Sequence, residues 1–317
     1  MKPTKQSLPE EFLSRLEAQF DQATYKKLLN GFKANRYTSA RVNTIKTDIA
    51  TVTRKLREKN IHAEQLPYLK NALVFKNHNE KLFEEMDMFK NGEIYLQSLS
   101  SQLPAIVLNP QSGEKVLDMT AAPGSKTTQI ASMMGNNGEI VANELDNIRF
   151  ERLKFNIQRQ GVTNTITRLG NAITLGNEFP DMFDRVLLDA PCGGEGKMHT
   201  EYPSTYRFWS VKFIHQHSRL QKQLFLSAYR ALKPGGAMVY STCTLAPEEN
   251  EKIVEWALTR FPDLKLKKIQ LPIPGALPVL RKFLDLTFSE ELQKCLKVGP
   301  NEYFEGFFVA NFEKGKI

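Results

Sequence analysis

The chain has 317 residues, 41% hydrophobic and 25% charged, and a formal net charge of +8. That is enough apolar content for one large domain and a smaller one. No apolar run reaches the roughly 18 residues of a membrane span, and the start, Met1-Lys2-Pro3-Thr4-Lys5, lacks a signal-like apolar core, so neither insertion nor secretion is indicated and the cytoplasm is the expected location.

In chain order, the first hundred residues carry 17 Lys and Arg against 12 Asp and Glu, so most of the positive excess lies at the front, where it can attract a polyanion. Here Glu10 to Asn30 reads as helix, Ala40 to Ile45 as strand, Asp48 to Asn60 as an amphipathic helix and Ala72 to Lys76 as a short strand. These form a basic α+β unit, expected to span residues 1–92, with a join near Asn91-Gly92 and a helix from Ile94 to Leu108 leading into a second domain, 93–317. From Gly113 onward, short apolar runs alternate with helical periods, the pattern of βαβ units and a parallel sheet. The strands are Glu114 to Met119, Glu139 to Glu144, Asn164 to Leu169, Arg185 to Ala190, Ala237 to Thr242 and Phe307 to Phe312. The helices are Thr127 to Met134, Asp146 to Gln160, His215 to Leu232 and Pro247 to Phe261, with Lys233-Pro234-Gly235-Gly236 as a stop.

The first strand of the sheet runs into Asp118-Met119-Thr120-Ala121-Ala122-Pro123-Gly124-Ser125-Lys126-Thr127-Thr128, a small-residue loop that opens a helix. It has neither the G-x-x-x-x-G-K-[ST] spacing of a phosphate loop nor the three glycines of a dinucleotide fingerprint, so phosphoryl and hydride transfer lose support. An acidic residue, Glu144, ends the second strand, where a carboxylate can accept both hydroxyls of a ribose. Loop and acid together suit S-adenosylmethionine.

Only three cysteines are present, 51 and 52 residues apart, with no C-x-x-C pair; zinc and a disulfide framework are both disfavoured, and no metal is expected. Cys295 reads as a core residue. Cys192, in Leu188-Asp189-Ala190-Pro191-Cys192, and Cys243, in Ser241-Thr242-Cys243-Thr244, each follow a strand, at the sheet edge where ligands bind. If the first strand is flanked by the second and fourth, the two thiols and Asp189 meet near the loop. A methyl donor beside a thiolate indicates a definite reaction. Carbon 5 of a pyrimidine is a poor nucleophile until a thiolate adds at carbon 6. A carboxyl at N3 would stabilise the charge that develops, and a base must then remove the carbon 5 proton. Spacing alone leaves open which thiol attacks.

With these residues in view, the chain resembles the RNA 5-methylcytosine methyltransferases of the Nop2/Sun/Fmu family, close to ribosomal RNA enzymes of bacteria. The resemblance rests on Arg41-Val42-Asn43-Thr44, Gln97-Ser98-Leu99-Ser100-Ser101, Ala121 to Thr127, Asn143-Glu144, Asp189-Ala190-Pro191-Cys192, Ser241-Thr242-Cys243-Thr244 with Glu248-Glu249-Asn250, and Glu305-Gly306-Phe307-Phe308. It implies a class I Rossmann-like methyltransferase fold, an α/β protein with a central, mostly parallel seven-stranded sheet and a small N-terminal α+β domain that binds RNA. It further implies Cys243 as nucleophile, Cys192 in product release, Asp189 at N3 of cytosine and Lys126 in the same pocket. S-adenosylmethionine would be held by Asp118, Ala121, Ala122, Pro123, Gly124, Ser125, Lys126, Glu144 and Asp189. Asn171 stands where the family carries an aspartate for the adenine amino group. Arg41 is a candidate phosphate contact, and Tyr202, Tyr206, Phe208 and Trp209 could shelter a flipped base or belong to the core.

The expected partner is ribosomal or transfer RNA and the expected state a monomer. The chain ends at Ile317, soon after the last strand, which would leave target choice to the front domain or the RNA's own shape. Two alternatives remain: a DNA cytosine-5 methyltransferase, whose single nucleophile in a Pro-Cys would leave Cys243 unexplained, and an inactive RNA-binding assembly factor, against which the intact Asp118, Glu144, Asp189, Cys192 and Cys243 speak.

Overall fold

A computed structural model describes residues 8–316. The chain folds into two compact units, each assembled from several stretches. One contains residues up to Arg36, then Ala190–Gln223 and Ser241–Ala310; the other contains Tyr37–Asp189, Leu224–Tyr240 and the residues from Asn311 onward. Gly92, at the expected join, lies inside the second unit, and the first two helices belong to the other.

The reason lies in where the apolar side chains go. Residues 10–30 form two helices, Glu10–Glu17 and Gln22–Gly31, because Asp21 accepts the Thr24 N–H at 2.7 Å and starts a new helix there. Their Phe12, Leu16 and Leu28 are fully or nearly fully buried in one cluster with Phe32, Met198 and Leu245. Arg15, on the same helix as Phe12, donates to both carboxylate oxygens of Glu248 at 2.6 and 2.8 Å.

In the second unit a four-stranded antiparallel sheet has the order Glu64–Leu66, Leu69–Phe75, Thr38–Val42, Ile94–Leu96. The helix Ile49–Glu58 covers it with Val52 and Leu56, and Phe75, Phe83 and Ile94 complete the core. Ile94–Leu96 is thus a strand where the sequence predicts the start of a helix; the helix begins only at Leu99, capped by Ser98, which accepts from Ser101 N–H. This sheet is tied to the rest of its unit by polar groups. Asn43 donates to the carbonyls of Gly92 and Gln160, both at 2.8 Å. Gly92 has φ +70°, and a Cβ there would fall 2.1 Å from the Arg159 carbonyl, so only glycine lets the two segments meet. Arg41 is 2% exposed; its Nε donates to Gln97 Oε1 and its Nη2 to Thr128 Oγ1, each at 2.9 Å. It is therefore neither the phosphate contact nor the solvated arginine that the sequence allows, but an internal tie.

The second unit also carries the parallel strands Lys115–Asp118, Glu139–Glu144, Thr165–Leu169 and Phe183–Asp189. Lys115–Asp118 lies between Glu139–Glu144 and Phe183–Asp189, the switch-point order expected. Leu232–Thr242 follows on the far side of Phe183–Asp189, then Phe307–Lys314; both strands run from one unit into the other. The predicted breakers Lys233 to Gly236 lie within this strand, which starts directly after the helix Val211–Ala231. In the first unit Leu296–Val298 and Ala276–Leu277 extend the order by antiparallel pairing. Leu264–Lys267 also pairs with Phe307–Lys314, so among the described residues the sheet has nine strands rather than the seven expected, because these short additions carry little alternation of their own.

Replacing Arg41 by Ala is expected to lower unfolding stability by about 2–3 kcal/mol in urea titration, since it leaves the Gln97 Oε1 acceptor without its donor in the interior and opens a cavity. Unchanged stability with weaker RNA binding would restore a phosphate role.

Candidate active site

The C-terminal end of Lys115–Asp118 leads into the loop closed by Gly124, whose φ of +101° starts the helix Ser125–Met133. The loop is built from within: Ala121 N–H donates to Asn143 O and Gly124 N–H to Ala121 O, both at 2.8 Å. The Asn143 amide donates to the carbonyls of Met119 and Gly170. Asn143 therefore shapes the loop, a function hidden in the sequence because it depends on three segments meeting. Ala121, Ala122 and Gly124 are buried, Ser125 and Lys126 half-buried and Pro123 exposed.

Asp118 is 1% exposed and accepts the Thr127 hydroxyl at 2.7 Å. Burial pushes its carboxyl up to about 6, against the pull of Thr127 and Lys126. Lys126 Nζ lies 2.7 Å from Asp189 Oδ2 and donates to Ser101 Oγ at 2.9 Å. Asp189 ends its strand with its backbone carbonyl held by the Thr120 hydroxyl.

Glu144 is 4% exposed. Its Oε1 accepts the N–H groups of Leu145 and Asp146 at 2.9 and 3.0 Å; its Oε2 accepts from Ala122 N–H at 3.3 Å and lies 3.7 Å from Arg149 Nη1. These residues suit S-adenosylmethionine. Carboxylate oxygens hold about four lone-pair sites between them, and the three backbone donors leave Glu144 one for a ribose hydroxyl. Leu145 beside it is 68% exposed, an apolar face of the kind a purine covers, and the helix opening at Ser125 presents unpaired N–H groups to an amino-acid carboxylate. Asn171 is exposed and its Oδ1 already accepts the Ile173 N–H at 3.0 Å, capping a short turn; one further lone pair is left for a donor.

In the other unit, the sulfurs of Cys192 and Cys243 lie 3.4 Å apart. The chain segments that carry them are joined just before this contact, where Ala190 N–H donates to the Ser241 carbonyl at 2.8 Å. The Cys192 thiol is pushed well above its usual range, first by its bond to Cys243, then by burial and the Glu249 charge. It therefore holds its proton and can donate it toward the Cys243 sulfur. Cys295 is buried and follows a short 3-10 turn; burial raises its thiol too, consistent with a core residue.

The aromatic cluster divides. Trp209 packs edge-on against Phe12 at 5.6 Å and donates to Glu195 Oε1 at 2.9 Å, and Tyr206 joins the same core. Tyr202 and Phe208 are 53% and 71% exposed.

The raised Asp118 makes stability pH-dependent. The folded state binds its proton more tightly than the unfolded chain, so this contribution is fully present below about pH 4 and is lost as pH rises through about 6. Asp118→Asn should remove about 2–3 kcal/mol of that slope, read as the difference between parent and variant unfolding curves from pH 4 to 7. Parallel curves would show that Asp118 is not shifted.

A family model described as 16S rRNA methyltransferase RsmB/F matches residues 105–313, and one described as the RsmF/B-like ferredoxin-like domain matches residues 8–80. The tRNA (cytosine(49)-C(5))-methyltransferase of Pyrococcus abyssi is 37% identical, over 87% of this chain and 88% of its own. Ribosomal RNA small subunit methyltransferase F of Pectobacterium carotovorum is 37% identical over 87% of this chain but 56% of its own, and that of Pectobacterium atrosepticum 36% identical over 98% and 63%. The chain thus spans about three-fifths of the ribosomal RNA relatives. A crystal structure of a methyltransferase homolog from Pyrococcus horikoshii has a TM-score of 0.85 at 31% identity, covering 96% of this chain and 95% of that one. Fold, loop and sequence agree, and the chain belongs to the RsmB/F family of S-adenosylmethionine-dependent methyltransferases.

Proposed function

We propose that the protein methylates carbon 5 of a cytosine in RNA through a covalent bond between Cys243 and carbon 6. The observation that carries this reading is the 3.4 Å contact between the two thiols, in which Cys192 is raised so that it keeps its proton. Cys243 adds to carbon 6, and its sulfur's electron pair makes carbon 5 nucleophilic. Asp189 donates a proton to N3 as the charge grows there, Lys126 meets the carboxylate that this leaves, and the proton returns to Asp189 on release. Only three chain steps separate Asp189 from Cys192, so acid and thiol are delivered by one segment. S-adenosylmethionine, when bound, supplies the methyl group that carbon 5 takes.

Release then needs a base. The carbon 5 proton passes to the Cys192 sulfur while the proton Cys192 carried moves to the departing Cys243 sulfur and the carbon 6–sulfur bond breaks. The pair ends one proton richer and returns that proton to water before the next cycle. A thiol raised as Cys192 is makes a strong base once deprotonated. The basic front of the chain would hold the RNA backbone.

The RNA is ribosomal or transfer RNA. The transfer RNA enzyme of Pyrococcus abyssi is spanned along 88% of its length, which favours that class as a second reading beside the ribosomal one. Bisulfite sequencing of RNA from a strain lacking the gene should show one ribosomal or transfer RNA cytosine losing its mark; no lost site in either would refute the assignment.

With radiolabelled RNA, Cys243→Ala is expected to form no covalent adduct on a denaturing gel, and Cys192→Ala to trap one. The reverse pattern would exchange the roles. Lys126→Ala should lower kcat by about 100-fold or more; a loss confined to KM would place Lys126 outside the reaction.

A further inference from the structure

Both peptide bonds flanking Cys192 are held by buried side chains from other segments. The Gly193 N–H donates to both oxygens of Glu249, at 2.9 and 3.1 Å. Gln221 Nε2 donates to the Pro191 carbonyl at 2.9 Å and to Glu249 Oε1 at 3.0 Å. Gln221 and Glu249 are both fully buried. A Cβ at residue 193 would lie 2.9 Å from Glu249 Oε2, so the carboxylate approaches the backbone as closely as glycine allows. Gln221 sits within the long helix Val211–Ala231, and Glu249 lies just ahead of the helix Glu251–Arg260, so the thiol loop is fastened at both ends to rigid elements.

We propose that Glu249 and Gln221 are positioning residues that clamp the Cys192 loop and hold its sulfur against that of Cys243 for product release. This rests on the assignment of release to Cys192. An isolated buried carboxylate is costly to maintain, and nothing in simple packing calls for one beside Cys192. Its neighbours explain what it does there. Glu195 and Cys192 are the titratable groups that face it, and the N–H groups of Gly193 and Gln221 point at its oxygens. Burial and Glu195 push Glu249 up to about 8, so it gains charge as pH rises through that value. Once ionised it grips Gly193 with both oxygens and makes the Cys192 sulfur a stronger base.

The test uses the full chain with RNA and S-adenosylmethionine. Glu249→Ala is expected to slow single-turnover release about tenfold and accumulate the RNA–protein adduct, with adduct formation little changed. Glu249→Gln, which keeps an acceptor for Gly193, should bring release back to within about threefold of the parent. The parent's release rate should rise as pH passes through about 8, and Glu249→Gln should abolish that rise. Gln221→Met, which leaves Glu249 in place, should shift release in the same direction by a smaller factor. Parent-like release in Glu249→Ala, or equal slowing of formation and release, would overturn the clamp. The clamp is also read without catalysis: iodoacetamide should label Cys192 about tenfold faster in Glu249→Ala, by peptide mass spectrometry. Unchanged labelling refutes the clamp. Faster labelling with no adduct trapped by Cys192→Ala refutes instead the release role on which it rests.

Discussion

Two sulfur atoms 3.4 Å apart are the contact on which the proposed chemistry depends. One thiol beside a methyl donor can add to a pyrimidine but has no built-in way to leave. A second thiol, held close enough to exchange a proton with the first, supplies one. That distance is not set by the cysteines themselves. It is set by the pairing of the segments before them, through the Ala190–Ser241 backbone bond, and by the side chains that fix the Cys192 loop.

The same logic recurs elsewhere. Asp118, Glu144, Glu195 and Glu249 are all nearly or fully buried, yet each is met by hydrogen-bond donors. Buried carboxylates of this kind are expensive unless satisfied, and satisfied ones rigidify their surroundings. Asp118 and Thr127 hold the start of the cofactor loop, Glu195 joins Trp209 to Thr244 and Leu245, and Glu249 fastens Gly193. The loops of the candidate site are thereby given the rigidity of the core without themselves being core.

Much of the sheet was legible in its short apolar runs; Glu139–Glu144, buried from Ile140 on, agrees residue for residue, and the sheet-edge strand Thr165–Leu169 to within one. The positions of Asp118, Glu144, Asp189, Cys192 and Cys243 at strand ends followed from that alone. The strand Ile94–Leu96 was missed because three residues show no period, and the break between the first two helices because a single capping aspartate decides it. Arg41 could not be read from its neighbours in sequence, since its partners Gln97 and Thr128 lie 56 and 87 residues away.

The sequence by itself determined the class of fold, the loop that excludes nucleotide-phosphate chemistry, the acid that ends the second strand and the presence of two thiols after neighbouring strands. These are local properties: period, turn chemistry and residue type at a strand's end. Tertiary structure alone decided which stretches make each compact unit, that Arg41 is a tie and not a phosphate contact, and that Glu249 and Gln221 hold the Cys192 loop. Those depend on hydrogen bonds between residues far apart in the chain, and no local pattern records which distant donor will meet a buried acceptor.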